Sequence, residues 1–243
     1  MALRVAIVTP YYAEPQAILR QAHDSVLGQT HPCRHIMVAD GRPHAEVASW
    51  DADHIVLERS HGPFGCAPRF LGAEHALHED FDLVAFLDAD NWLREDHVEV
   101  LAELHARTGA DFLSCSRMLC RPDGSVMAPC PVTDADRFVD TSCMAFARGG
   151  FPLLSLWVDM PEYAQVICDR WVLHKVIASG ASRAHTAERT VFYRCGKPGI
   201  YKLLGEPVPA GVGPAPDYRT AFERWASDGH SPSPRGRGAG QSQ

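Results

Sequence analysis

The chain has 243 residues, 46% hydrophobic and 22% charged, with a formal net charge of -7 and an isoelectric point near 6.0. That length suits one large domain or two small ones, and the balance is ordinary for a globular protein. The acidic surplus argues against nucleic acid or an anionic membrane as the main partner, and no apolar run approaches the roughly 18–20 residues of a membrane span.

The opening "MALRVAIVTPYY" carries an apolar run too short for a secretory leader and no small-residue cleavage site, so a cytoplasmic location is expected. "RVAIVTP", ending at Pro10, predicts a first strand. Pro15 then opens a helix with Ile18, Leu19, Ala22 and Val26 at helical spacing and Gly28 near its end. "HIMVAD" and "HIVLE" predict two more strands, and a Gly/Pro loop, "RSHGPFGCAP", leads into a helix over "RFLGAEHALHE". "DLVAFLD" predicts a fourth strand and "REDHVEVLAELHART" an amphipathic helix, with "DFLSCSRML" as a further strand. Continuous apolar strands alternating with helices point to a mostly parallel central sheet flanked by helices, an α/β fold in a single domain. Beyond Arg121, "RPDGSVM" predicts a hairpin, "FVDTSCMAFA" a strand, "PEYAQVICDRWVLHKVIASG" one helix and "TVFYR" a last strand. From about Gly205 the chain turns rich in Pro, Gly and Ser, which predicts an extension dispensable to the fold and disordered beyond about 228.

In an open α/β sheet, ligands bind at the carboxyl ends of the parallel strands. Thr9, Pro10 and Tyr11 end the first predicted strand, Asp40 the second, and Asp88-Ala89-Asp90 the fourth, with Arg69 opening the helix before it. In an extended segment Asp88 and Asp90 share a face and repel, unless they are solvated, protonated or bridged by a cation. A solvated turn satisfies that condition, and so does a divalent metal. The second reading suits a nucleotide diphosphate: Pro10 or Tyr11 against the base, Asp40 accepting from a base N–H or ribose hydroxyl, and Arg69 on phosphate. The eight cysteines include no C-x-x-C pair and read as buried free thiols, and among the thirteen histidines no H-x-x-x-H or H-E-x-x-H pair stands out as a metal site.

In order, "VAIVTPYY", "MVADG", "PRFLGAEHAL" and "LVAFLDADNWLREDHVEVL" resemble a family 2 glycosyltransferase of the GT-A fold, with "FLDADNWL" as its D-x-D motif. The resemblance covers roughly the first 110 residues. It implies a GT-A domain over 1–204, split into a nucleotide-sugar half (1–110) and an acceptor half (111–204), with 205–243 as an extension. It implies Mn²⁺ or Mg²⁺ ligated directly by Asp90, with Asp88 on ribose or on the metal through water. Thr9, Tyr11, Asp40 and Arg69 would line the nucleotide pocket; a strand cap, a core ring and a surface ion pair are the plainer roles for Thr9, Tyr11 and Arg69.

"ICDRWVL" resembles the family's acidic step facing the sugar, with Cys168 in place of its first acid, leaving Asp169 as the base beside Arg170. Asp159, Glu162 and Asp140 are alternative bases. Asp140 and Thr141 are sugar or acceptor contacts or a capped loop, Trp157 a stacking wall or core, and His185 a third metal ligand or a loop histidine. The implied activity is inverting transfer from a nucleotide-diphospho-sugar donor, UDP-linked, to a soluble small-molecule or biopolymer acceptor; a homodimer is compatible. A sugar-phosphate nucleotidyltransferase would want a Gly-rich basic loop where "TPYYAEPQ" stands. A non-catalytic nucleotide-sugar-binding domain is the remaining alternative.

Overall fold

The computed structural model describes residues 3–132 and 134–229. Strand β1 (Val5–Tyr11) is buried throughout and lies between β2 (Cys33–Ala39) and β4 (Leu83–Phe86), all parallel. Strand β3 (Asp53–Val56) extends the same sheet at the edge of β2. Short β5 (Trp92–Leu93) follows, then β6 (Phe112–Cys120), β7 (Val126–Pro129), β8 (Met144–Ala147) and β9 (Arg183–Arg194). The order is β3-β2-β1-β4-β8-β6-β9-β5, with β7 paired to β6. Only β5, β7 and β8 run against the others, so the sheet is mixed but mostly parallel.

Helices cover both faces because β1, β2 and β4 are apolar on both sides. The first is α1 (Gln16–Leu27), followed by α2 (Cys66–His78) and α3 (His97–Thr108). Gly72 lets α2 approach the sheet closely, since a Cβ there would meet Val8 Cγ1 at 2.5 Å. Past the sheet's middle come the single turn α4 (Leu156–Asp159), then α5 (Cys168–Ser179), α6 (Pro198–Leu204) and α7 (Tyr218–Ser227). Among the described residues no helix is long and apolar enough to cross a membrane.

Four segments depart from the sequence expectation. The strand expected over "FVDTSCMAFA" is reduced to Met144–Ala147, because Asp140 caps a 3-10 turn over Thr141–Cys143. The helix expected from Pro161 to Gly180 breaks into a 3-10 segment (Glu162–Ile167) followed by α5, which puts Asp169 in the first turn. Strand β9 begins at Arg183, seven residues before the predicted "TVFYR", since its polar first half is held by pairing with β6 and not by burial. The fourth lies past Gly205. Helix α7 packs on the core through Ala221 and Trp225, 3% and 1% exposed, and Trp225 meets His174 edge-on at 5.6 Å. The segment up to Ser227 is therefore part of the domain; the disorder expected beyond about 228 falls almost wholly on 230–243, outside the described residues. Trp225→Ala should cost about 3–5 kcal/mol, seen as a lower urea midpoint. A loss below about 1 kcal/mol would mean that α7 merely rests on the surface.

Candidate active site

The register of the parallel strands brings their carboxyl ends level. Val8 pairs with Phe86 and Tyr11 with Ala39, so Pro10 and Tyr11, Asp40, and Asp88 to Asp90 emerge at one edge. They line a single cleft of about 1000 Å³ with Arg69, Asp140, Thr141, Asp169 and Arg170. The Asp88–Asp90 step is not extended. The Asn91 N–H donates to the Asp88 carbonyl at 3.0 Å and closes a turn, with Asp88 half-buried and Asp90 open to the cleft.

That turn is held from two sides. Ser142 Oγ accepts from the Asp88 N–H at 3.1 Å and from Asn91 Nδ2 at 3.0 Å. From β9, the Arg194 backbone N–H donates to Asn91 Oδ1 at 2.9 Å, while its guanidinium donates to the Asp90 carbonyl at 3.0 Å, to Gln21 Oε1 at 2.5 Å and to the Pro122 carbonyl. Sequence reading missed all three of these holding residues. Asn91, next to the acid pair, was the one signal in reach; Ser142 and Arg194 are distant in the chain and gain their role only through folding.

Arg69 is 5% exposed. It pairs with Asp88, donates to the Phe64 carbonyl at 2.6 Å and lies 5.2 Å from the Trp157 ring centroid. Its Nε–H is buried with no hydrogen-bond partner among the described residues. Trp157 itself is fully buried against Phe86 at 5.2 Å, in the core and off the cleft wall, so it cannot stack on a sugar. Thr9 is also fully buried and points away from the cleft, where its Oγ1 pairs with His35 Nε2 at 2.9 Å. Thr9 shares its face of β1 with Tyr11 but lies two residues further inside the strand, where the sheet is covered. Tyr11 lines the cleft but is 2% exposed, its hydroxyl accepting from the His44 N–H and pairing with His54 Nε2 at 2.8 Å.

Asp40 is buried at the end of β2 and accepts from Ser60 Oγ at 3.0 Å and from the His61 N–H at 2.9 Å. Gly41, at φ +80°, has no room for a side chain because a Cβ would meet Ser60 N at 2.5 Å. The acid thus fixes the 60–65 loop as well as lining the cleft.

Across the cleft, Asp140 is buried in an ion pair with Arg117, and its Oδ1 accepts from the Ser142 N–H at 3.1 Å. Burial pushes its carboxyl up to about 6 against the pull of Arg117, with Asp88 and Asp169 adding to the rise. Asp169 Oδ1 accepts from the Arg170 backbone N–H at 2.7 Å. Burial raises its carboxyl above the ordinary range and Arg170 pulls it back. Asp90, although open to the cleft's water, is pushed up to about 7 by the protein closing round it and then by Asp88, Glu14 and Asp140. Neither Arg117 nor Glu14 was singled out from sequence; each is a lone charge with no local pattern.

His185 does not reach this site. Its Nδ1 pairs with Ser114 Oγ at 2.9 Å, beside its register partner on β6. It is not placed as a third metal ligand, because its ring is held on β6 and stays outside the cleft lining. Among the described residues no group of three or more His, Cys, Asp or Glu side chains is gathered to hold a metal ion.

A family model described as "Glycosyl transferase family 2" matches residues 6–134. No curated protein matches the chain. Among solved structures, S. aureus TarS 1-349 in complex with UDP is similar at 12% identity and TM-score 0.60, over 79% of this chain and 60% of that one. The complex of TarS 1-349 with UDP-GlcNAc is similar at 14% identity and TM-score 0.58, over 79% and 58%. Another S. aureus TarS structure matches over 83% of this chain but 38% of its own length. At such identities the likeness is one of fold, and the chain spans about three fifths or less of these neighbours' length.

Proposed function

The chain belongs to glycosyl transferase family 2, and from that premise we propose that it moves a sugar from a nucleotide-diphospho-sugar, UDP-linked, to an acceptor hydroxyl with inversion at the anomeric carbon. The observation that carries this reading is the convergence of Asp40, the Asp88–Asp90 turn and Asp169 on one cleft. The UDP and UDP-GlcNAc complexes of TarS, alike in fold, favour a uridine donor.

Pro10 and Tyr11 would bound the base and Asp40 would accept from it or from ribose. Arg69 would favour the donor's phosphates through its charge, while its Nη2 holds Asp88 and its Nη1 the Phe64 carbonyl. The donor set fits Mn²⁺ or Mg²⁺: oxygen ligands, and a carboxylate in Asp90 that burial and then neighbouring acids hold at a cost a cation relieves. Asp90, and Asp88 directly or through water, would hold the ion, leaving its other positions to phosphate oxygens and water. When bound, the ion supplies positive charge against that building on the leaving diphosphate.

Asp169 would take the proton of the acceptor hydroxyl as its oxygen attacks the anomeric carbon. The bond to the phosphate oxygen breaks on the opposite face, and its electron pair leaves with the diphosphate. In-line displacement therefore places base and metal on opposite sides of the sugar. Asp140, tied to Arg117 and the Ser142 N–H, orders the acceptor side, and Thr141 lines the same wall.

UDP with Mn²⁺ should raise the melting temperature. At 100 times its Kd the pair adds about 2.7 kcal/mol, or about 5–10 °C for a chain of this size, and chelation should remove most of that gain. No shift with UDP or UDP-GlcNAc would defeat the donor assignment. A shift without release of UDP from UDP-GlcNAc, even with acceptors present, would favour the non-catalytic reading.

A further inference from the structure

Arg69, Arg117, Arg170 and Lys197 are the cations that line the cleft. Two are neutralised where they stand, Arg69 by Asp88 and Arg117 by Asp140. Lys197 stands exposed in the loop before α6. Arg170 is different. Its Cζ lies 4.6 Å from the Phe138 ring centroid and 5.7 Å from that of Phe222, so two aromatic rings fix the guanidinium beside the cleft. Phe222 is in turn backed by Trp225, stacked at 6.0 Å.

No carboxylate lies within ion-pair distance of the Arg170 guanidinium among the described residues. Asp169, its neighbour in sequence, accepts the Arg170 backbone N–H and forms no ion pair with its side chain. A cation beside the base also opposes proton acceptance, since it favours the ionised carboxylate. A half-buried guanidinium, immobilised and without a counter-ion, sits at a cost that an incoming anion offsets. Its planar fork of donors matches the oxygens of a phosphate or carboxylate. Tyr218, one turn before Phe222 and 38% exposed, lines the same cleft and offers a hydroxyl to such a group.

We infer that Arg170, with Tyr218, forms a subsite for an anionic group on the acceptor, a phosphate ester or a carboxylate carried near the hydroxyl that is glycosylated. The inference rests on the transfer reading above and adds the chemical class of the acceptor. It also assigns a function to α7, since without Phe222 the guanidinium keeps only one of its two rings.

The test uses the full chain with UDP-GlcNAc, Mn²⁺ and two matched acceptor pairs: glycerol against glycerol 3-phosphate, and glucose against glucuronate. UDP release is read as kcat/KM, and the two pairs separate phosphate from carboxylate. The anionic member of at least one pair should be favoured by about 10- to 100-fold, the range of one charge-assisted contact. Arg170→Gln should bring that ratio close to one, and Arg170→Lys should keep part of it, which a packing role alone would not do. Melting curves of both variants show whether the fold survives; if the glutamine variant unfolds, the lysine variant carries the test. A wild-type ratio near one, or a ratio unchanged in Arg170→Gln, overturns the inference. A chain that gives no UDP-dependent thermal shift fails at the transfer reading, and the subsite falls with it. A chain that binds UDP but treats both members of each pair alike loses only the subsite.

Discussion

Asp90→Asn is expected to abolish the stabilisation that Mn²⁺ and UDP confer together and to slow transfer by about 10²–10³-fold, the range for loss of one preorganised electrostatic contact to a developing charge. The same variant should move metal-free stability the other way. The Asp90 carboxyl sits near 7 in the folded chain, above its value near 3.9 in an unfolded one. A raised carboxyl favours the fold when protonated. Its contribution is complete below about pH 4 and is lost as pH rises through 7. At pH 8.5 the ionised Asp90 therefore works against the fold, and asparagine removes that penalty. Because Asp90 is open to the cleft's water, screening reduces the gain to about 1 kcal/mol, or about 2–4 °C in melting temperature. The pairing of the two results is the test. An Asp90→Asn protein that still gains stability from Mn²⁺ with UDP would take the metal away from this turn, whatever happened to its activity.

Asp169→Asn should lower transfer by about 10²–10⁴-fold, the usual contribution of a general base, while the thermal shift with UDP and Mn²⁺ barely changes. Asparagine keeps the side-chain oxygen that accepts the Arg170 N–H, so the start of α5 stays ordered and the loss belongs to proton transfer. Because burial raises the Asp169 carboxyl, the acid limb of the pH–rate profile should lie above the ordinary carboxylate range, with activity rising as the group loses its proton. Near wild-type transfer at saturating donor and acceptor would put the base elsewhere. Asp140 is poorly placed to replace it, since both its oxygens are engaged, one by Arg117 and one by the Ser142 N–H. Asp140→Asn is accordingly expected to disturb packing around Arg117 before it disturbs chemistry, and a pH profile without its acid limb in that variant would reverse the assignment.

The sequence by itself determined the α/β class, the strands β1 to β4 and the edge at which their acids appear. These features are local: apolar runs of strand length, Pro15 and Gly28 at the ends of α1, and acids directly after the runs. The periodicity of burial is written into the residues that are buried, and a strand's carboxyl end is simply where its apolar run stops. Tertiary structure decided the rest. It turned Thr9 and Trp157 into core, because depth along a strand, or a packed turn, does not show in composition. It set His185 against Ser114 of β6, outside the cleft lining, because the length of a polar strand is fixed by its partner β6 and not by its own pattern. It placed Arg194 and Ser142 on the Asp88–Asp90 turn across chain separations of more than fifty residues. It folded α7 onto the core despite its Pro- and Gly-rich approach, because one fully buried tryptophan outweighs the composition around it. Each of these depends on which groups meet in space, and single charged or aromatic residues carry no local signal of the partner they will meet.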